Sequence, residues 1–175
     1  MRKLKNSELG RISVENFKTA NKTPIVVVLD SVRSALNVGS AFRTSDAFRI
    51  EKIYLCGITA FPPNKEIRKS ALGATDSVEW EKAEKTEDII LKLKKEGYVV
   101  SAIEQAETSV MLNNFPSPEK PIAVVFGNEV NGVQQSVIDL CDNCIEIPQI
   151  GTKHSLNISV SVGVVLWDLY NKINR

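Results

Sequence analysis

Five short apolar runs set the terms on which this chain can fold. Ile25–Leu29 (IVVVL) and Ile122–Phe126 (IAVVF) contain no polar residue. The alternation that marks a strand with one wet face is missing, as it is in strands of a parallel sheet covered on both sides. Ile53–Cys56, Val99–Ile103 and Cys144–Ile147 also read as strands. Between the runs, Asn37–Ala47, Thr86–Glu96 and Gln134–Cys141 carry helical spacing. The middle one is clearest, with Thr86 as N-cap, Glu87 and Asp88 in the first turn, lysines near the end and Gly97 at the stop. Strands alternating with helices predict an α/β fold, a mostly parallel sheet with helices on both faces.

The last segment reads two ways. Leu156, Ile158, Val160 and Val162 alternate like a strand, whereas Val162, Leu166, Leu169 and Ile173 follow helical spacing. Length decides for a helix over Ser155–Ile173. Its apolar residues occupy more than one side, so it needs cover from its own sheet and from a second surface such as another subunit. Residues 1–23 form a basic arm with a short helix, and Ala60–Lys69 a loop broken by Pro62-Pro63. With 175 residues, 43% of them hydrophobic, the chain sustains one α/β domain, residues 24–175, and is short for two.

The net charge of +1 hides an uneven distribution: residues 1–69 hold 13 Lys/Arg against 6 Asp/Glu, and residues 70–175 hold 9 against 15. A polyanion would meet the first part of the chain. No apolar run nears the roughly 20 residues that span a bilayer, and Met1-Arg2-Lys3-Leu4-Lys5 lacks the apolar core of a secretion signal. The expectation is a cytoplasmic protein without a membrane partner. Cys56, Cys141 and Cys144 are too few for a disulfide framework. Cys141-Asp142-Asn143-Cys144 has C-x-x-C spacing but no second ligand pair, His154 being the only histidine, and it ends a helix rather than opening one. Reduced thiols and no metal are expected.

Polar and small residues follow the apolar runs in three places: Gly127-Asn128-Glu129-Val130-Asn131-Gly132, Pro148-Gln149-Ile150-Gly151 and Ser155-Leu156-Asn157. Such sites, at the ends of strands, line ligand pockets. Gly127 to Gly132 has phosphate-loop spacing, but Val133-Gln134 replaces the Lys-Ser/Thr pair, and no G-x-G-x-x-G follows the first strand. His154-Ser155 invites a nucleophile and base, yet adjacent helical residues do not face each other and there is no G-x-S-x-G elbow; Ser155 reads more simply as a helix cap. Asn37 near a helix start and Arg43 about two turns on read, taken alone, as a cap and a surface charge.

Taken together, N-x-G-x-x-x-R at Asn37–Arg43, V-F-G-N-E-x-x-G at Val125–Gly132 and I-P-x-x-G-x-x-x-S-L-N-x-S at Ile147–Ser159 resemble the three motifs of SpoU-type (TrmH-like) RNA 2′-O-ribose methyltransferases of the SPOUT superfamily. The resemblance covers essentially the whole catalytic domain. Lys69–Ala74 and Glu104-Gln105 look most like the branch that methylates the D-loop guanosine of tRNA, and an arm of 23 residues is too short for the separate RNA-binding domain often carried by members acting on rRNA. An rRNA substrate, or RNA binding without catalysis, is the alternative.

The resemblance implies a C-terminal deep trefoil knot, a homodimer, and S-adenosylmethionine held by main-chain groups at Gly127, Ile147 and Leu156, with Ile103 and Gln105 nearby. Arg43 matches the family's catalytic arginine. Because arginine stays protonated, positioning phosphate and stabilising a developing alkoxide suits it at least as well as acting as base. Asn37, Glu129, Ser155 and Asn157 match the remaining polar motif positions, Glu129 as an orienting partner of Arg43 or Asn37. Arg33, Arg49, Lys65, Arg68 and Lys69 are candidate phosphate contacts.

Overall fold

Thr23–Asp30 forms strand β1, whose side chains divide between the two faces of the sheet: Ile25, Val27 and Leu29 enter one apolar cluster, Val26 and Val28 the other. Burial on both faces explains why the run has no polar alternation. The computed structural model describes residues 1–174. The other strands are β2 (Ile50–Cys56), β3 (Glu79–Ala83), β4 (Val99–Ile103), β5 (Val110–Met111), β6 (Ile122–Phe126) and β7 (Asn143–Glu146). They lie in the order β3-β2-β1-β6-β4-β7-β5, with every neighbouring pair parallel.

One face is covered by α2 (Ala35–Ala47), α3 (Lys65–Ala71), α4 (Ala74–Ser77) and α7 (Ile158–Ile173), together with Phe17 from α1 (Val14–Thr19). The opposite face is covered by α5 (Thr86–Lys95) and α6 (Gln135–Ile138). Fully buried Phe42, Ile67, Leu166 and Leu169 belong to the first layer; each such side chain contributes about 1.5–3 kcal/mol of burial. The N-terminal arm is not free throughout, because Phe17 docks its short helix onto the domain.

The structure corrects several boundaries. Half of the expected loop Ala60–Lys69 is helix, since Asn64 Oδ1 accepts from the Glu66 and Ile67 N–H groups and starts α3. The edge strand β3 reads EWEKA, too charged to announce itself as a strand, and β5 has only two residues. The expected helix Gln134–Cys141 shrinks to one turn. Thr86 is not the cap of α5 but its first residue, and its hydroxyl donates to the buried Asp30 carboxylate at 2.6 Å. The last helix starts at Ile158, capped by Asn157 rather than Ser155.

Close approach of α2 and α3 depends on Gly39. A Cβ at Gly39 would stand 2.1 Å from Ser70 Oγ and 2.4 Å from the Ile67 carbonyl. Glycine therefore lets the helix bearing Arg43 lie directly against the basic helix α3. Among the described residues no helix is long and apolar enough to cross a membrane.

Candidate functional site

The carboxyl ends of β6, β4 and β7 leave the sheet side by side and enclose a cavity of about 640 Å³. Ile103–Gln105 come from β4, Phe126–Val133 from β6, Glu146, Ile147 and Gln149 from β7, and His154–Ile158 with Ser161 from the approach to α7. Open α/β sheets bind ligands beyond the carboxyl ends of their strands, and the volume suits a small molecule.

The turn after β6 is closed by its own backbone: the Asn128 N–H donates to the Gly132 carbonyl at 3.0 Å and the Gly132 N–H to the Asn128 carbonyl at 2.9 Å. Asn128 Oδ1 accepts from the Val130 and Asn131 N–H groups, and its Nδ2 donates to the Ser31 carbonyl. A Cβ at Gly127 would sit 2.1 Å from Gly132 C and Val133 N. Glycine at 127 thus serves closure of the turn itself, beyond any approach of backbone to a ligand.

Glu129 carries this turn across to the start of α2. Its Oε2 accepts from the Arg33 N–H at 2.8 Å, and its Oε1 from the Ser34 N–H and from Asn37 Nδ2, both at 3.0 Å. Burial alone would raise the Glu129 carboxyl, but the Arg33 N–H, the Asn37 amide and the Ser34 N–H outweigh it and hold the group below the usual carboxylate range. Ser34, not Asn37, caps α2, accepting from the Asn37 N–H at 3.3 Å. That leaves the Asn37 side chain for Glu129.

All five residues expected at the cofactor, Gly127, Ile147, Leu156, Ile103 and Gln105, line the cavity, as do Glu129, Ser155 and Asn157. Asn157 Oδ1 accepts from the Ser159 N–H at 2.8 Å, whereas Ser155 lies in the preceding exposed loop, unbonded to His154. Arg43 is exposed on α2, outside the cavity wall, and forms no ion pair or hydrogen bond among the described residues. Glu129 therefore orients Asn37 and not Arg43. Sequence reading gave no role to Ser34, whose cap bond is typical of any helix start, nor to the Asn128 side chain, whose bond to the Ser31 carbonyl spans 97 positions.

Among the described residues no group of three or more His, Cys, Asp or Glu gathers as a metal site. Cys141 is pushed up to about 12 by burial, and Cys144 is raised for the same reason. These are poor thiolates.

The profile of the SpoU rRNA Methylase family matches residues 24–167. The chain belongs to the SpoU methylase family. It is 26% identical over 162 residues to the 23S rRNA (guanosine-2′-O-)-methyltransferase RlmB of Vibrio parahaemolyticus, a match covering 92% of this chain and 64% of the relative. A crystal structure of an AdoMet-bound rRNA methyltransferase from Sinorhizobium meliloti superposes with a TM-score of 0.81 at 29% identity, over 86% of this chain and 57% of that one. The TrmH/SpoU tRNA modifying enzyme of A. aeolicus gives 0.80 at 26%, over 92% and 80%. This SpoU methylase chain spans less than two thirds of the length of the curated relatives it matches.

In this SpoU methylase domain the five expected phosphate contacts are all exposed but do not share one edge. Arg33 lies on the loop leaving the carboxyl end of β1, and Lys65, Arg68 and Lys69 on α3, against the helix of Arg43. Arg49 immediately precedes β2, at the amino edge of the sheet. It is thereby separated from the cavity by the length of the strands.

Proposed function

We propose that the chain is an S-adenosylmethionine-dependent RNA methyltransferase domain that modifies a ribose 2′-hydroxyl, with tRNA as favoured substrate and a D-loop guanosine as its nucleotide. The observation that carries this reading is the convergence of the three motif segments: two wall the cavity, and Glu129 joins them to Asn37 at the start of the helix that bears Arg43.

The size of the cavity and its lining by Gly127, Ile147 and Leu156, with Ile103 and Gln105 beside them, support the methyl donor as its ligand, held by the main-chain groups of the first three. When bound, the donor supplies a methyl group already activated on a sulfonium. What remains for the protein is to align the hydroxyl and manage its proton. Arg43, permanently charged and exposed, holds the RNA phosphate and stabilises charge developing on the ribose oxygen. Asn37 and Glu129 set the start of its helix, and Ser155 and Asn157 shape the entry to α7. Arg33, Lys65, Arg68 and Lys69 contact phosphates.

The family resemblance supports a homodimer with the β7–α7 segment threaded as a trefoil knot. Trp167 is 57% exposed, and with Val160 and Val164 forms a stripe opposite the buried face of α7. A second copy covers it.

Similarity to the A. aeolicus tRNA modifying enzyme and the Lys69–Ala74 and Glu104-Gln105 stretches support tRNA. Similarity to the Vibrio enzyme favours rRNA as the second reading. Mapping of 2′-O-methyl marks in total tRNA and rRNA from cells with and without the protein decides: loss of a tRNA D-loop mark is expected, and loss confined to rRNA transfers the assignment. Arg43→Ala is expected to abolish methyl transfer while donor binding persists; an active variant overturns the role of Arg43.

A further inference from the structure

Two adjacent side chains at the end of β4 tie together walls of the cavity that are remote in sequence. Glu104 Oε2 accepts from the Val133 N–H at 3.0 Å, at the exit of the β6 turn, and its Oε1 accepts from the Gln105 N–H at 2.9 Å. Gln105 Nε2 donates to the His154 carbonyl at 2.8 Å, on the loop that leads to α7. Glu104 is itself anchored by its backbone, donating to the Ile145 carbonyl at 3.1 Å and accepting from the Cys144 thiol at 3.3 Å.

The fit around the carboxylate is close. Gly132 adopts φ +66°, and a Cβ there would lie 2.2 Å from Glu104 Oε2. The residue that closes the β6 turn is therefore seated directly on the Glu104 carboxylate, while the same turn reaches through Glu129 to the start of α2.

We infer that Glu104 is a positioning residue for methyl-donor binding, holding the β6 turn in its ligand-ready shape through the Val133 N–H, with Gln105 holding the opposite wall. This rests on the reading of the cavity as the donor pocket. A carboxylate suits the task because its two oxygens accept from two separate N–H groups. Removing it leaves the Val133 N–H without its acceptor, so the turn loses its side-chain anchor to β4.

Calorimetric titration of the whole chain with S-adenosylmethionine and S-adenosylhomocysteine tests the assignment, with thermal melting and amide hydrogen exchange as controls of the fold. Glu104→Ala is expected to weaken both ligands alike by about tenfold or more, and Glu104→Gln, which keeps one oxygen for Val133, to stay within about threefold of wild type, on the scale of one hydrogen bond to a charged group. Faster exchange at Val133 with the amides of β6 still protected is the accompanying expectation. Should Glu104→Ala fail to fold, Glu104→Asp, one methylene too short to reach Val133, makes the same test.

Unchanged binding by a folded Glu104→Ala or Glu104→Asp overturns the inference and leaves the pocket reading intact. A loss restricted to the cationic S-adenosylmethionine also overturns it, because charge recognition would then be the role. Failure of the wild-type chain to bind either ligand removes the pocket reading itself.

Discussion

Asn37 and Glu129 stand 92 positions apart, and the Asn37 side-chain amide donates to Glu129 Oε1 at 3.0 Å. With the Arg33 and Ser34 N–H groups on the same carboxylate, this bond joins the turn after β6 to the start of α2. Glu129→Ala is expected to lower kcat/KM for methyl transfer by about tenfold or more, a loss larger than its effect on donor affinity, because the helix bearing Arg43 loses its tie to the cavity. Steady-state kinetics against isothermal titration separates the two effects.

The same carboxylate makes a pH prediction. Its folded pKa lies below the ordinary value of 4.5, so its stabilising effect is present above that value and is lost as the pH falls below 4.5 toward the folded pKa. Thermal melting of wild type and Glu129→Gln should give curves that differ by a constant amount near neutrality and converge in acid. Divergence on acidification contradicts the assignment.

Thr86 is the only hydrogen-bond donor to the buried Asp30 side chain among the described residues, whose Oδ2 has no partner. Thr86→Val keeps the shape and removes the donor, and should destabilise the fold by about 1–3 kcal/mol in urea unfolding.

Gly39→Ala drives a methyl group into Ser70 Oγ and the Ile67 carbonyl. Because one of the two obstacles is backbone, a rotamer change at Ser70 cannot relieve it. A loss of about 1–3 kcal/mol is expected, with weakened RNA binding as α3 moves off α2.

At α7, Asn157→Ala removes the cap acceptor for the Ser159 N–H and should cost about 1 kcal/mol, whereas Ser155→Ala, in the exposed loop, should leave the melting temperature unchanged. Val164→Glu on the exposed stripe should shift sedimentation from dimer to monomer without unfolding the chain.

Much of the fold could be read from local pattern. The unbroken apolar runs at Ile25–Leu29 and Ile122–Phe126 lie in the middle of the sheet, with covering helices on both faces, because a strand buried twice cannot carry alternating polarity. The strands that escaped notice, β3 and β5, lie at the two edges, where exposure removes the hydrophobic signal. The α3 helix was hidden behind Pro62-Pro63, although its start needed only Asn64.

The candidate site divides in the same way. The segments that follow β6 and β7 stand out from the residues alone, since a strand end followed by small and polar residues is a local property of the chain, whereas Ile103 and Gln105 at the end of β4 came only from the family resemblance. Which of them touch was decided by the tertiary structure: Glu129 meets Asn37 rather than Arg43, Glu104 meets Val133, and Arg49 falls at the far edge of the sheet. These pairings depend on strand order, and strand order is a property of how the whole sheet packs, which no stretch of sequence records by itself.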